Sequence, residues 1–94
     1  MERLERDQRR STVRQLRQSI TKDARGRVSD GFLDGPIRST SCQNTDGHER
    51  DLDSDTAAYD CIAVTERIGT QEEGYRFSAT VDFEKGSYTW RLGG

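Results

Sequence analysis

From Tyr75 the chain alternates without a break: Tyr75, Phe77, Ala79, Val81 and Phe83 on one parity, Arg76, Ser78, Thr80, Asp82 and Glu84 on the other. A period of two is that of a β-strand with one buried and one wet face. Glu84-Lys85-Gly86-Ser87 then reads as a hairpin turn, with Gly86 free to take φ > 0. The return strand repeats the pattern, with Tyr88, Trp90 and Leu92 on one face and Thr89 and Arg91 on the other. Two strands cannot bury such a face by themselves, so another layer must cover it.

Only one segment supplies that layer. Val13, Leu16, Ile20, Ala24 and Val28 recur at helical spacing, and the positions between them are mostly charged or polar. Gly26 weakens the run without ending it, and the spacing predicts a helix that continues to Asp30 with Gly31 as its stop. Phe32 is then expected to make the apolar contact that accompanies a glycine stop. Residues 1–12 have no apolar face, although Glu2–Arg6 and Glu5–Arg9 are favourable i,i+4 pairs and Leu4 is an apolar anchor. They are expected to form a frayed or projecting lead-in to a single domain over 13–94.

Between helix and hairpin, Asp34-Gly35-Pro36 is a turn, and residues 37–43 read as a polar edge strand with a proline at its start. Residues 44–56 are irregular, residues 59–66 form a β-branched, apolar strand, and residues 68–74 read as a loop. The expected fold is α+β, with an N-terminal amphipathic helix packed on one face of a roughly four-stranded antiparallel meander.

The core of such a fold is lean. The chain has 94 residues, of which 30% are hydrophobic and 34% charged. A staple would therefore matter. Cys42 and Cys61 are the two cysteines, and each falls in an expected strand. They lack C-x-x-C spacing, so neither a dithiol redox site nor a zinc ribbon is indicated. Two readings stand: a cross-strand disulfide, stabilising by roughly 3 kcal/mol through loop closure, or two free cysteines packed as small hydrophobes. The disulfide would point to an oxidising compartment, and its absence to the cytoplasm.

Net charge hides an asymmetry. Residues 1–28 carry nine basic and four acidic residues, whereas 29–94 carry six and thirteen. A basic helix on an acidic body suits self-complementation, a membrane-proximal segment or nucleic acid. The arginines are interrupted by acids, spread over several faces and accompanied by no aromatic before Phe32. Nucleic acid is therefore disfavoured. No apolar run reaches membrane-spanning length, and no signal-peptide h-region opens the chain. Membrane contact is expected only through an anchor outside this chain.

Asp51-Leu52-Asp53-Ser54-Asp55 has the alternating acids of a calcium loop. Thr56 stands where the sharp-turn glycine is needed and Ile62 where the bidentate glutamate is needed. That leaves at most a weak metal site from Asp51, Asp53 and Asp55, with Asp46 nearby, against a plain solvated acidic loop. His48 in the same loop reads as an exposed histidine rather than a general base, for no nucleophile is held rigidly beside it. Glu72-Glu73 and Asp82/Glu84 read as surface carboxylates rather than an acid–base pair. The ending Arg91-Leu92-Gly93-Gly94 is similar to the tails of ubiquitin-like proteins and sulfur carriers, which begin with a hairpin instead of a helix.

Gly35-Pro36-Ile37 through Cys42, Tyr59-Asp60-Cys61-Ile62-Ala63-Val64-Thr65, and Val81-Asp82-Phe83 through Tyr88-Thr89-Trp90 resemble a group of small actinobacterial membrane-anchored or secreted proteins. The resemblance covers residues 13–92. In that group a transmembrane helix leads into a basic helix and then a two-cysteine sheet, which implies an extracytoplasmic domain. The helix-on-sheet plan is also similar to cystatin-like and PepSY-like modules, some of which inhibit or bind other proteins.

The expected function is a non-enzymatic, extracytoplasmic binding or sensing module without a cofactor, recognising a protein or cell-envelope ligand. Its contact surface would be the acidic loop or the open sheet face formed by Arg76, Ser78, Thr80, Asp82, Thr89 and Arg91. The alternatives are a cytosolic nucleic-acid-binding protein using the arginine-rich helix, a protease-inhibitor-like module, and an enzyme or carrier acting through His48 or Gly93-Gly94.

Overall fold

The computed structural model describes residues 2–48, 51 and 53–93, and for residues 2–6 the backbone alone. The expectations for the side chain of Leu4, for the Glu2–Arg6 and Glu5–Arg9 pairs, for Leu52 and for Gly94 lie outside the described residues.

Helix α1 runs over Glu2–Ser29. Val13, Leu16, Ile20 and Ala24 are its buried stripe, as their spacing requires. Gly26 does not stop it. Gly31, with φ of 83°, does. The Gly31 N–H donates to the Val28 carbonyl at 3.1 Å and the Phe32 N–H to the Arg27 carbonyl at 2.8 Å. This is the Schellman pattern, which satisfies carbonyls the helix leaves open. The apolar contact differs from expectation. Phe32 is 77% exposed, and Leu33, one residue later, packs on the core.

Four strands follow: β1 Ser39–Asn44, β2 Thr56–Ile68, β3 Gln71–Asp82 and β4 Ser87–Leu92. They form one antiparallel sheet in the order β1-β2-β3-β4. The fold is thus α+β, one helix on a four-stranded meander. Ala57, Tyr59, Cys61 and Ala63 of β2 and Phe77, Ala79 and Val81 of β3 face α1 and close the core, joined by Ile37 ahead of β1. Tyr75, Phe83, Tyr88 and Trp90 pack around its rim.

Strand limits depart from the sequence reading, and β2 itself begins at Thr56, three residues ahead of the expected strand at 59–66. Strand β1 starts at Ser39, because Ile37 is drawn into the core ahead of it. Residues 68–74 are not a loop: β2 runs to Ile68, the turn lies at Gly69 and Thr70, and β3 begins at Gln71. Gly69 takes φ of 64°, which permits the tight turn. Pairing partners show that β1 reaches only as far as Val64 and β4 only as far as Phe77. The β2–β3 hairpin therefore projects past both neighbours as a two-stranded ribbon.

Strand β2 carries an irregularity between Val64 and Glu66, and Gly74 pairs with Val64 beside it. A Cβ at Gly74 would overlap the Ala63 carbonyl, so only glycine fits this crossing point.

Polar contacts fasten α1 along both flanks. On one side, Ser19 and Tyr88 share a hydroxyl hydrogen bond of 2.9 Å, and Trp90 Nε1 donates to the Asp23 carboxylate at 3.0 Å. On the other, Thr21 and Thr40 share one of 2.7 Å, and Arg25 Nε donates to the Ile37 carbonyl at 3.1 Å. No helix among the described residues is long and apolar enough to cross a membrane.

Candidate functional site

The two cysteines are bonded to each other, Cys42 on β1 and Cys61 on β2. The register explains why they meet. Thr45 N–H donates to the Ala58 carbonyl, so ladder bonds in this antiparallel pair fall at that position and at every second one along β1. Cys42 and Cys61 lie directly opposite one another at the position between, where strands approach most closely; their Cα atoms are 4.0 Å apart. Cys61 lies in the core and Cys42 is half-buried beside it.

The face turned away from α1 carries the residues the alternation assigned to it. Asp60 pairs with Ser78, which pairs with Arg91. Ile62 pairs with Arg76, and Ala58 with Thr80 and then Thr89. Arg76, Thr80, Thr89 and Arg91 are exposed. Two expected members have local duties instead. The Asp82 carboxylate accepts the N–H groups of Glu84 and Lys85 at 3.0 and 3.1 Å and so shapes the β3–β4 turn. Ser78 Oγ donates to the Gly93 carbonyl at 2.9 Å.

The same face gains residues that alternation within one hairpin did not reveal. Ser41 and Gln43 on β1 and Asp60 on β2 line a hollow of about 580 Å³ together with Ile62, Glu72 and Arg76. Ser41 Oγ and Arg67 both donate to Glu72 Oε2, at 3.1 and 2.9 Å, which holds that carboxylate in place. The Ser41–Ile62–Arg76 row is legible only once the register across three strands is known.

The acidic loop is organised by a cation from the helix. Arg9 is 4% exposed, which corrects the expectation that the first twelve residues have nothing to bury. Its guanidinium lies 4.4 Å from the Phe83 ring centroid. It donates to the carbonyls of His48 and Asp51 at 3.1 Å and of Ser54 at 2.7 Å. These are oxygens of the kind a bound metal ion would need. The loop's acids bond locally too. Asp51 accepts from Asp53 N–H and Ser54 Oγ, and Asp46 from the N–H groups of His48 and Ala58 and from Asn44 Nδ2. The His48 N–H, first among these donors, holds the Asp46 carboxyl below its ordinary value of 3.8. Asp51, Asp53 and Asp55 do not converge, and among the described residues no cluster of His, Cys, Asp or Glu is arranged to hold a metal.

His48 is an exposed loop residue whose Nδ1 lies 3.3 Å from Asp46 Oδ2. Gly93 continues β4 by donating its N–H to the Arg76 carbonyl at 2.8 Å. Glu72 is tied to Arg67 and Ser41, apart from any acid–base pairing with Glu73. Comparison with family models, curated proteins and solved structures finds no match to this chain.

Proposed function

We propose that this chain is a non-enzymatic, extracytoplasmic binding module that recognises a protein or cell-envelope ligand through its open sheet face. The observation that carries this reading is an asymmetry of the sheet. One face is sealed by α1, while the other presents Arg76, Thr80, Thr89 and Arg91 uncovered beside the hollow at Asp60 and Glu72. Mixed charge and hydroxyl groups on a rigid sheet suit orientation of a polar ligand, where a few well-placed polar groups set specificity. The Cys42–Cys61 disulfide fits an oxidising compartment. The likeness to small actinobacterial membrane-anchored or secreted proteins points the same way.

Co-sedimentation of the oxidised protein with purified bacterial sacculi, and separately with envelope membrane vesicles, tests the proposal. One of the two should retain the wild-type protein, and the double variant Arg76→Glu/Arg91→Glu should lose most of that retention while keeping its circular dichroism. Retention that survives both charge reversals, or no retention by either material, would sink it.

A further inference from the structure

The flank of α1 above β1 has a composition unlike the rest of the helix. Arg10, Arg14 and Arg17 recur at spacings of four and three, and Thr21 continues the same stripe. Thr21 is bonded to Thr40 of β1, which fixes the stripe along that strand. The three arginines line a groove of about 490 Å³ whose apolar floor includes Val13, Cys42 and Tyr59. The helix arginines do occupy more than one face, with Arg9 buried against Phe83, but these three share this flank. They are exposed, and among the described residues none of them makes an ion pair. Among the described residues, Asp7 is the one acid lining the groove.

The outer edge of β1 borders this groove. Odd-numbered residues of β1 direct their backbone bonds to β2, as the Thr45–Ala58 bond sets the register. Thr40 and Cys42 therefore point their N–H and C=O groups outward. Outside the sheet ladder, no backbone–backbone bond among the described residues engages either one. An unpaired edge of this kind is a template for a further strand.

We propose that this edge accepts an extended acidic peptide segment of a partner protein as a fifth strand, its carboxylates set against Arg10, Arg14 and Arg17. The spacing fits. Alternate residues of a strand advance roughly 6.6 Å, and helix positions three or four apart advance roughly 4.5 to 6 Å. Acids at every second position of the peptide thus meet successive arginines, while the residues between them face away from the groove. Arginine also suits the task, because its planar fork takes a carboxylate with two parallel bonds. A nucleic acid would satisfy the charges but has no use for the strand edge, which is why a peptide is favoured. This surface lies on the helix side of the sheet and stands independently of the open face.

The test uses the intact, oxidised protein and a short, end-blocked, fluorescent peptide alternating Glu with Val and Thr, with binding read by anisotropy. Saturable binding is expected, with new protection of the Thr40 and Cys42 amides against hydrogen exchange. Arg10→Glu/Arg14→Glu/Arg17→Glu should weaken it by about tenfold or more, the scale of a lost charged contact. A peptide of the same sequence with alternate backbone nitrogens methylated keeps its charges but cannot pair, and should also lose binding. Equal binding of the methylated peptide, indifference to the triple charge reversal, or no binding would overturn the proposal. So would a single-stranded oligonucleotide that binds more tightly than the peptide and displaces it, which would assign the stripe to nucleic acid.

Discussion

Burying a guanidinium is costly unless oxygens receive its N–H groups and a ring or packed surface covers its plane. Arg9 meets both conditions, with Phe83 beneath it and the carbonyls of His48, Asp51 and Ser54 around it. Arg9→Ala should therefore destabilise the fold by roughly 2–4 kcal/mol, as loss of charged hydrogen bonds inside a packed site does. Arg9→Lys should recover only part of this, because an ammonium cannot fork. Urea unfolding would measure both, and a loss under about 0.5 kcal/mol for Arg9→Ala would contradict the anchoring role. None of this is legible in the sequence. The loop's acids suggest a cation, but the cation that serves it lies 39 to 45 positions earlier on a segment with no apolar periodicity. Asp46 adds a pH signature. Its folded carboxyl lies below the ordinary value of 3.8, so its support for the loop is complete above that value and fades as pH falls through the lower folded one. Amide exchange at His48 and Ala58 should rise over that acidic window, beyond the acid dependence of a model peptide. In Asp46→Asn this extra rise should disappear.

Among the elements, legibility follows periodicity. The helix stripe and the alternating strand at 75–83 are plain because one face of each is apolar, and both form, the strand ending at Asp82 with Phe83 in the turn. The first residues of β3, from Gln71 to Gly74, escape detection because no core lies on either side of the projecting ribbon. With Gln, Glu, Glu and Gly in succession, no alternation remains to be read. Pairing there is set instead by the Gly69 turn and by the irregularity opposite Gly74. Gly74→Ala should cost about 3 kcal/mol or more, since its Cβ has no room beside the Ala63 carbonyl and the irregular pairing must break to make it. Gly86→Ala is a useful contrast. Its φ of 66° is strained for alanine, yet nothing stands within 4 Å of the added carbon. Its cost should be near 1 kcal/mol. Thermal unfolding of the two variants side by side would separate crowding from backbone strain, and similar losses would remove the special role given to Gly74.

For the whole molecule, a lean core, a helix strapped on both flanks and one covalent bridge share the task of stability. The bridge closes a segment with a sequence separation of 19, and its loss in Cys42→Ser/Cys61→Ser should lower stability by about 3 kcal/mol in the chain-entropy view. Chemical denaturation of the variant against the oxidised wild type would measure it, and equal midpoints would show that the bridge adds nothing. That the two cysteines sit in strands is legible from the sequence; that they face each other depends on the register, which loop 45–55 conceals. The bridge also governs which chains can trade parts. Copies of one chain can exchange an identical element when the loop that joins it to the rest opens. Here α1 and β1 cannot leave for another copy while Cys42 holds Cys61 of the same chain. Oxidation before folding is complete would thus commit each chain to its own first half. Folding under reducing conditions, followed by oxidation at high concentration, would instead allow exchanged pairs to be sealed chain to chain. The order of closing and meeting, more than the final contacts, would then decide whether this sequence ends as one molecule or as an entwined two.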